Sequence, residues 1–140
     1  MLVTFITLTS CSKKPSVDGV EYSKFLNLLT DSGFQYTEGE LDDSSFLSVS
    51  RKPILIGDGI ISIYEYESNE EMEKDSRYIG QDGYSISCPG KSVDIDWVSR
   101  PHFFKKGTLI INYVGEDEQI LKFLNENYGA QFAGYGYSNQ

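Results

Sequence analysis

The spacing of apolar residues switches repeatedly between helical and strand periods along this chain, and that alternation limits the available folds more than any other feature. Tyr22, Phe25, Leu26 and Leu29 recur at i, i+3, i+4 and i+7 and give one stripe that must be buried. Ile120, Leu121, Leu124 and Tyr128 form a second stripe near the other end. Between them lie strand-type runs: Phe34 to Tyr36, Phe46 to Val49, Pro53 to Ile56, Ile60 to Glu67, Tyr84 to Ser87, Val93 to Trp97, His102 to Phe104 and Thr108 to Val114. Gly57-Asp58-Gly59 and Lys105-Lys106-Gly107 are tight connections, so their flanking runs are expected to pair antiparallel.

Local signals set the boundaries. Asp18 and Glu21 fit an acidic capping box opening the first helix, and Gly33 supplies its stop. Ser68 and Glu71 cap a second helix running toward Ile79, with a thin apolar stripe of Met72 and Ile79. The third starts near Asp117 and ends at Gly129. Ile60 to Glu67 is partly apolar on both faces and is expected to be a central strand. Pro53, which cannot donate a ladder hydrogen bond, marks an edge, a bulge or a strand start. The expected class is α+β: a single mostly antiparallel sheet of about five to seven strands with three helices on one face, ordered roughly α-β-β-β-α-β-β-β-α. Residues 19–134 form one domain with one core, and residues 135–140, within a Gly- and Tyr-rich end that starts at Ala133, form a flexible tail.

Ahead of that domain, Leu8, Thr9, Ser10 and Cys11 resemble a bacterial lipobox, in which a small residue precedes a cysteine whose thiol takes a diacylglyceryl group before cleavage. The uncharged run Met1 to Leu8 is too short to span a bilayer and reads as the apolar part of a signal peptide, residues 1–10. No basic residue precedes Cys11, as expected of a signal truncated at its start. Residues 11–18 then comprise the lipidated Cys11 and a polar tether containing Lys13, Lys14 and Pro15. One acyl chain holds a protein only marginally, whereas two or three on one cysteine anchor it stably. The alternative is a first buried strand with Cys11 as an ordinary cysteine. If Cys11 carries lipid, Cys88, in the turn-like Ser87-Cys88-Pro89-Gly90, has no partner and no disulfide is expected within the chain.

The net charge of -9, all of it carried beyond Cys11, disfavours nucleic acid and anionic lipid surfaces and leaves a neutral or cationic partner. Catalytic patterns are not found: the chain has no G-x-S-x-G, H-E-x-x-H or P-loop. The single histidine, His102, can be a general base or a structural residue. Asp94 and Asp96 share one strand face about 6.5 Å apart, close enough to address one cation or one glycosidic bond, or simply to be solvated. Asp42, Asp43 and Asp58 fail the calcium-loop pattern. No metal, cofactor or catalytic residue is assigned. Tyr64, Tyr66 and Trp97 are the aromatic residues that strand alternation could turn toward solvent as a contact surface.

The run from Trp97 to Ile110, with Tyr113-Val114-Gly115 and the ending Gly129-Ala130-Gln131-Phe132-Ala133-Gly134, resembles small uncharacterised lipoproteins of Gram-positive bacteria. That resemblance implies a lipid anchor and an extracytoplasmic location at the cell membrane, and transfers no catalytic or binding residue. The expected function is a membrane-anchored binding or scaffolding module for an unidentified envelope protein or ligand. Two alternatives stay open: a cell-wall glycan or peptide hydrolase using Asp94, Asp96 or His102, and a metal-sensing or transporter accessory lipoprotein using Asp94 and Asp96.

Overall fold

The computed structural model describes residues 19–137. The elements run α1 (Val20–Asp31), β1 (Thr37–Glu38), β2 (Lys52–Ile56), β3 (Gly59–Glu65), α2 (Asn69–Ser76), β4 (Ser85–Cys88), β5 (Lys91–Asp94), β6 (Pro101–Lys106), β7 (Leu109–Val114), α3 (Glu118–Tyr128) and β8 (Ala133–Gly134). Six strands form an antiparallel sheet ordered β1-β2-β3-β7-β6-β8, and β4 pairs with β5 in a separate hairpin. The fold is α+β, with three helices and a mostly antiparallel sheet. The run at Phe46 to Val49 makes no strand among the described residues. It bends, and Leu47 and Val49 enter the core from that bend.

Period-two alternation along β3 feeds two cores. Ile61 and Ile63 join Ile54, Phe104, Leu109, Ile111 and Tyr113 under the stripes of α1 and α3. Tyr64 and Tyr66 turn to the other face, where Phe103, Ile110, Met72 of α2, Ile79, Ile86, Leu47 and Val49 cover them. The helices therefore lie on both faces rather than one. A central strand apolar on both sides requires two covering layers, and β3 is central, between β2 and β7.

Helix α1 follows Asp18, the expected capping-box residue, which lies outside the described residues. Its N-cap is Gly19, which makes no side-chain cap bond. Instead Glu65, at the end of β3, accepts from the Gly19 N–H at 3.0 Å and the Glu21 N–H at 3.2 Å. A Cβ at position 19 would sit 2.4 Å from the Glu65 carboxylate, so only glycine permits this approach. The sheet thus supplies an acceptor to the N–H groups at the start of the helix. The other two caps are local, as expected: Ser68 accepts from Glu71 N–H, and Asp117 from the N–H groups of Gln119 and Ile120.

Burial raises the Glu65 carboxyl above its ordinary value, against the backbone N–H groups of Gly19, Glu21 and Tyr22, which lower it; the Glu21 charge adds to the rise. A carboxyl harder to ionise folded than unfolded stabilises the fold at acid pH and loses that contribution as pH rises through its folded value. Glu65→Gln keeps an acceptor oxygen and removes the charge. Relative to this variant, the wild type should lose stability between about pH 4 and about pH 7, read from denaturant midpoints at both values. A gap moving the other way would mean that the helix N–H bonds outweigh burial.

The C-terminal end is docked as far as it is described. Ala133 and Gly134 add β8 to the edge of β6, and the Tyr135 N–H donates to Pro101 O at 2.8 Å. Residues 138–140 of the expected tail lie outside the described residues.

Candidate functional site

The residues singled out in the sequence fall in different places. Tyr64 and Tyr66 are 7% and 4% exposed, inside the second core, and offer solvent no platform. Tyr66 donates its hydroxyl to Asp75 Oδ2 at 2.8 Å. Burial pushes the Tyr64 phenol up to about 12 and raises that of Tyr66 well above its ordinary value, the Asp75 charge adding to the latter. Trp97 joins the same cluster half-buried, its ring 6.2 Å from Phe103 edge-on and its Nε1–H donating to Gly83 O at 2.8 Å. All three belong to the second core, so the face they share is the packed one.

Asp94 ends β5 and Asp96 follows it, both exposed, while Val93, Ile95 and Trp97 turn partly inward. His102 lies on the opposite side of the six-stranded sheet, 5% exposed and stacked on Tyr113 at 6.1 Å. Asp94 and Asp96 therefore lie apart from His102, on the other side of the sheet. Among the described residues no group of three or more His, Cys, Asp or Glu is placed to hold a metal ion. Cys11 lies outside the described residues. Cys88 is buried and disulfide-bonded, which corrects the expectation of a chain without a disulfide.

A cleft of about 330 Å³ opens at the end of the sheet where the β2–β3 turn, the segment before β6 and the start of α3 meet. Tyr113 is its floor and Asp58, Glu116 and Asp117 are its acidic lining. Gly59 and Gly115 make the fit possible, since a Cβ at either position would meet the Tyr113 side chain within 2.8 Å. The Tyr113 hydroxyl accepts from the Asp117 N–H at 3.1 Å. Burial raises the Tyr113 phenol, and the charges of Asp117, Asp58 and Glu116 push it further the same way. Two of the carboxylates already have structural partners: Asp117 caps α3, and Glu116 Oε1 meets Arg100 Nε at 3.1 Å. The arrangement holds no paired nucleophile and base. It can attract and seat a small neutral or cationic group.

Of the cleft residues only Asp58 was weighed in the sequence, and there as a calcium ligand that failed the pattern. They come from three segments, and Asp58 and Asp117 read there as a turn residue and a helix start. No protein family matches the chain. Neither does any curated protein or solved structure.

Proposed function

We propose that this chain is a lipid-anchored domain of the cell envelope, kin to the small Gram-positive lipoproteins it resembles, which binds a partner at the membrane surface without chemically transforming it. The observation that carries this reading is the Leu8-Thr9-Ser10-Cys11 sequence followed by a polar, proline-containing stretch that leads into α1. The acidic cleft beside Tyr113 supports a neutral or cationic partner, and replaces Tyr64, Tyr66 and Trp97 as the candidate contact surface.

The test is detergent phase partition of the protein expressed from its full gene in a Gram-positive host. The wild type is expected in the detergent phase and Cys11→Ser in the aqueous phase, because loss of two acyl chains removes an anchor contributing about 0.8 kcal/mol per buried methylene. Equal partition of both proteins into the aqueous phase would defeat the anchor.

A further inference from the structure

We propose that His102 is a proton-operated catch: uncharged, it holds the C-terminal segment, residues 131–137, on the edge of the six-stranded sheet, and protonated, it releases that segment. Hydrogen bonds assign the neutral tautomer. Gln131 Nε2 donates to Tyr135 O at 2.8 Å, which turns Gln131 Oε1 toward His102 Nδ1 at 3.1 Å. An amide oxygen can only accept, so Nδ1 carries the proton and Nε2 keeps its lone pair. That Nε2 is buried and has no hydrogen-bond partner among the described residues.

The segment docks on β6 around this side chain. His102 pairs with Gly134 in the sheet, and a Cβ on Gly134 would lie 2.4 Å from Pro101 O and 3.0 Å from His102 Cα. Phe132 N–H donates to Phe103 O, Gly134 N–H to Gln81 O, and Tyr135 N–H to Pro101 O. The Tyr135 ring stands edge-on to the imidazole at 6.3 Å and already carries the Arg100 guanidinium at 3.9 Å.

Protonation at Nε2 would place a charged donor where no acceptor waits. The surroundings offer no compensation. Tyr113 of β7 stacks on the ring with its hydroxyl engaged by the Asp117 N–H, and Arg100 is spent on Glu116. Lys106, on the same face of β6, is itself cationic and donates to Asn127 O. In α3, the residues turned into the core are Ile120, Phe123, Leu124 and Tyr128, while Glu118, Lys122 and Glu126 are exposed. Among the described residues no carboxylate hydrogen-bonds the imidazole. Water is the remaining acceptor, and the cheapest route to it is to lift the two-residue strand β8 rather than to open β7 or α3.

The chain has one histidine, so its imidazole Cε1–H resonance reads His102 alone. On the intact protein we would follow that resonance and the exchange protection of the Phe132, Gly134 and Tyr135 amides as the pH is lowered from about 7.5 to about 5. After correction for intrinsic exchange, protection should fall roughly tenfold or more with the midpoint of the imidazole titration, as leaving a buried donor unsatisfied requires. His102→Asn, which retains a donor for Gln131 and cannot titrate, should keep its protection unchanged. Proton uptake by a still-protected segment would overturn the catch, as would an equal loss of protection in His102→Asn. Should that variant not fold, the paired wild-type titrations decide the matter alone.

Discussion

Phe25→Ala is expected to lower the unfolding free energy by about 3–5 kcal/mol, the range for emptying a buried aromatic site. Phe25 is fully buried at the middle of the α1 stripe, and its ring meets Phe123 at 6.1 Å and Tyr128 at 5.5 Å, both on α3. Alanine keeps the helix propensity and removes the ring that joins the two helices over the sheet. Because Phe34 also leans on Phe123 at 5.4 Å, the loss should loosen the chain just after α1 as well. The exposed Val20, at the start of the same helix, gives the control: Val20→Ala should change stability by less than about 0.5 kcal/mol. Urea denaturation of the three proteins reads the comparison. A cost below about 1 kcal/mol for Phe25→Ala would mean that α1 is not docked as described.

Asp75→Ala should cost about 3 kcal/mol or more, because three donors lose their acceptor at once. Asp75, 4% exposed on α2, accepts through Oδ2 from Ser48 N–H at 2.9 Å, Ser48 Oγ at 2.7 Å and the Tyr66 hydroxyl at 2.8 Å. This one carboxylate ties the bend that carries Leu47 and Val49 to α2 and to the end of β3. Asp75→Asn retains one acceptor oxygen and should cost less. Tyr66→Phe removes a single donor, and its effect should not add to that of Asp75→Ala, since both break the same bond. Additive costs in the double variant would show that the hydroxyl and the carboxylate do not interact.

Local chemistry explains which parts of this fold could be read in advance. The α1 stripe, the turns at Gly57-Asp58-Gly59 and Lys105-Lys106-Gly107, the cap at Ser68 and the helix start at Asp117 depend on residues within a few positions of one another and stand as expected, while the buried face of α3 takes Phe123 where Leu121 was expected, Leu121 being only partly buried. The acceptor at the start of α1 is not local in this sense, because Glu65 lies 46 residues from Gly19. Alternation told which residues of β3 share a face, but nothing local tells which face is wet. Tyr64 and Tyr66 were therefore offered to solvent when α2 and the bend cover them. Phe46 to Val49 shows apolar and polar residues in strand order, yet Ser48 bonds to Asp75, and no ladder forms there. The cleft was illegible for a similar reason: Asp58, Tyr113 and Asp117 meet only through the order of β2, β3 and β7 and the entry into α3.

The sulfur of Cys11 carries the functional proposal, and it has two mutually exclusive fates. A thioether to lipid and a disulfide cannot share one sulfur, so lipidation of Cys11 and a bond to Cys88, the chain's other cysteine, exclude each other. The decisive measurement is the intact mass of the protein recovered from the membrane fraction of a Gram-positive host, for the wild type and Cys11→Ser. The proposal predicts a chain cleaved before Cys11 and heavier by a diacylglyceryl group, absent from Cys11→Ser. An uncleaved, lipid-free wild type, lighter than its reduced form by the two hydrogens of a disulfide, would contradict it and make the N-terminal region part of the domain's own cross-linked structure.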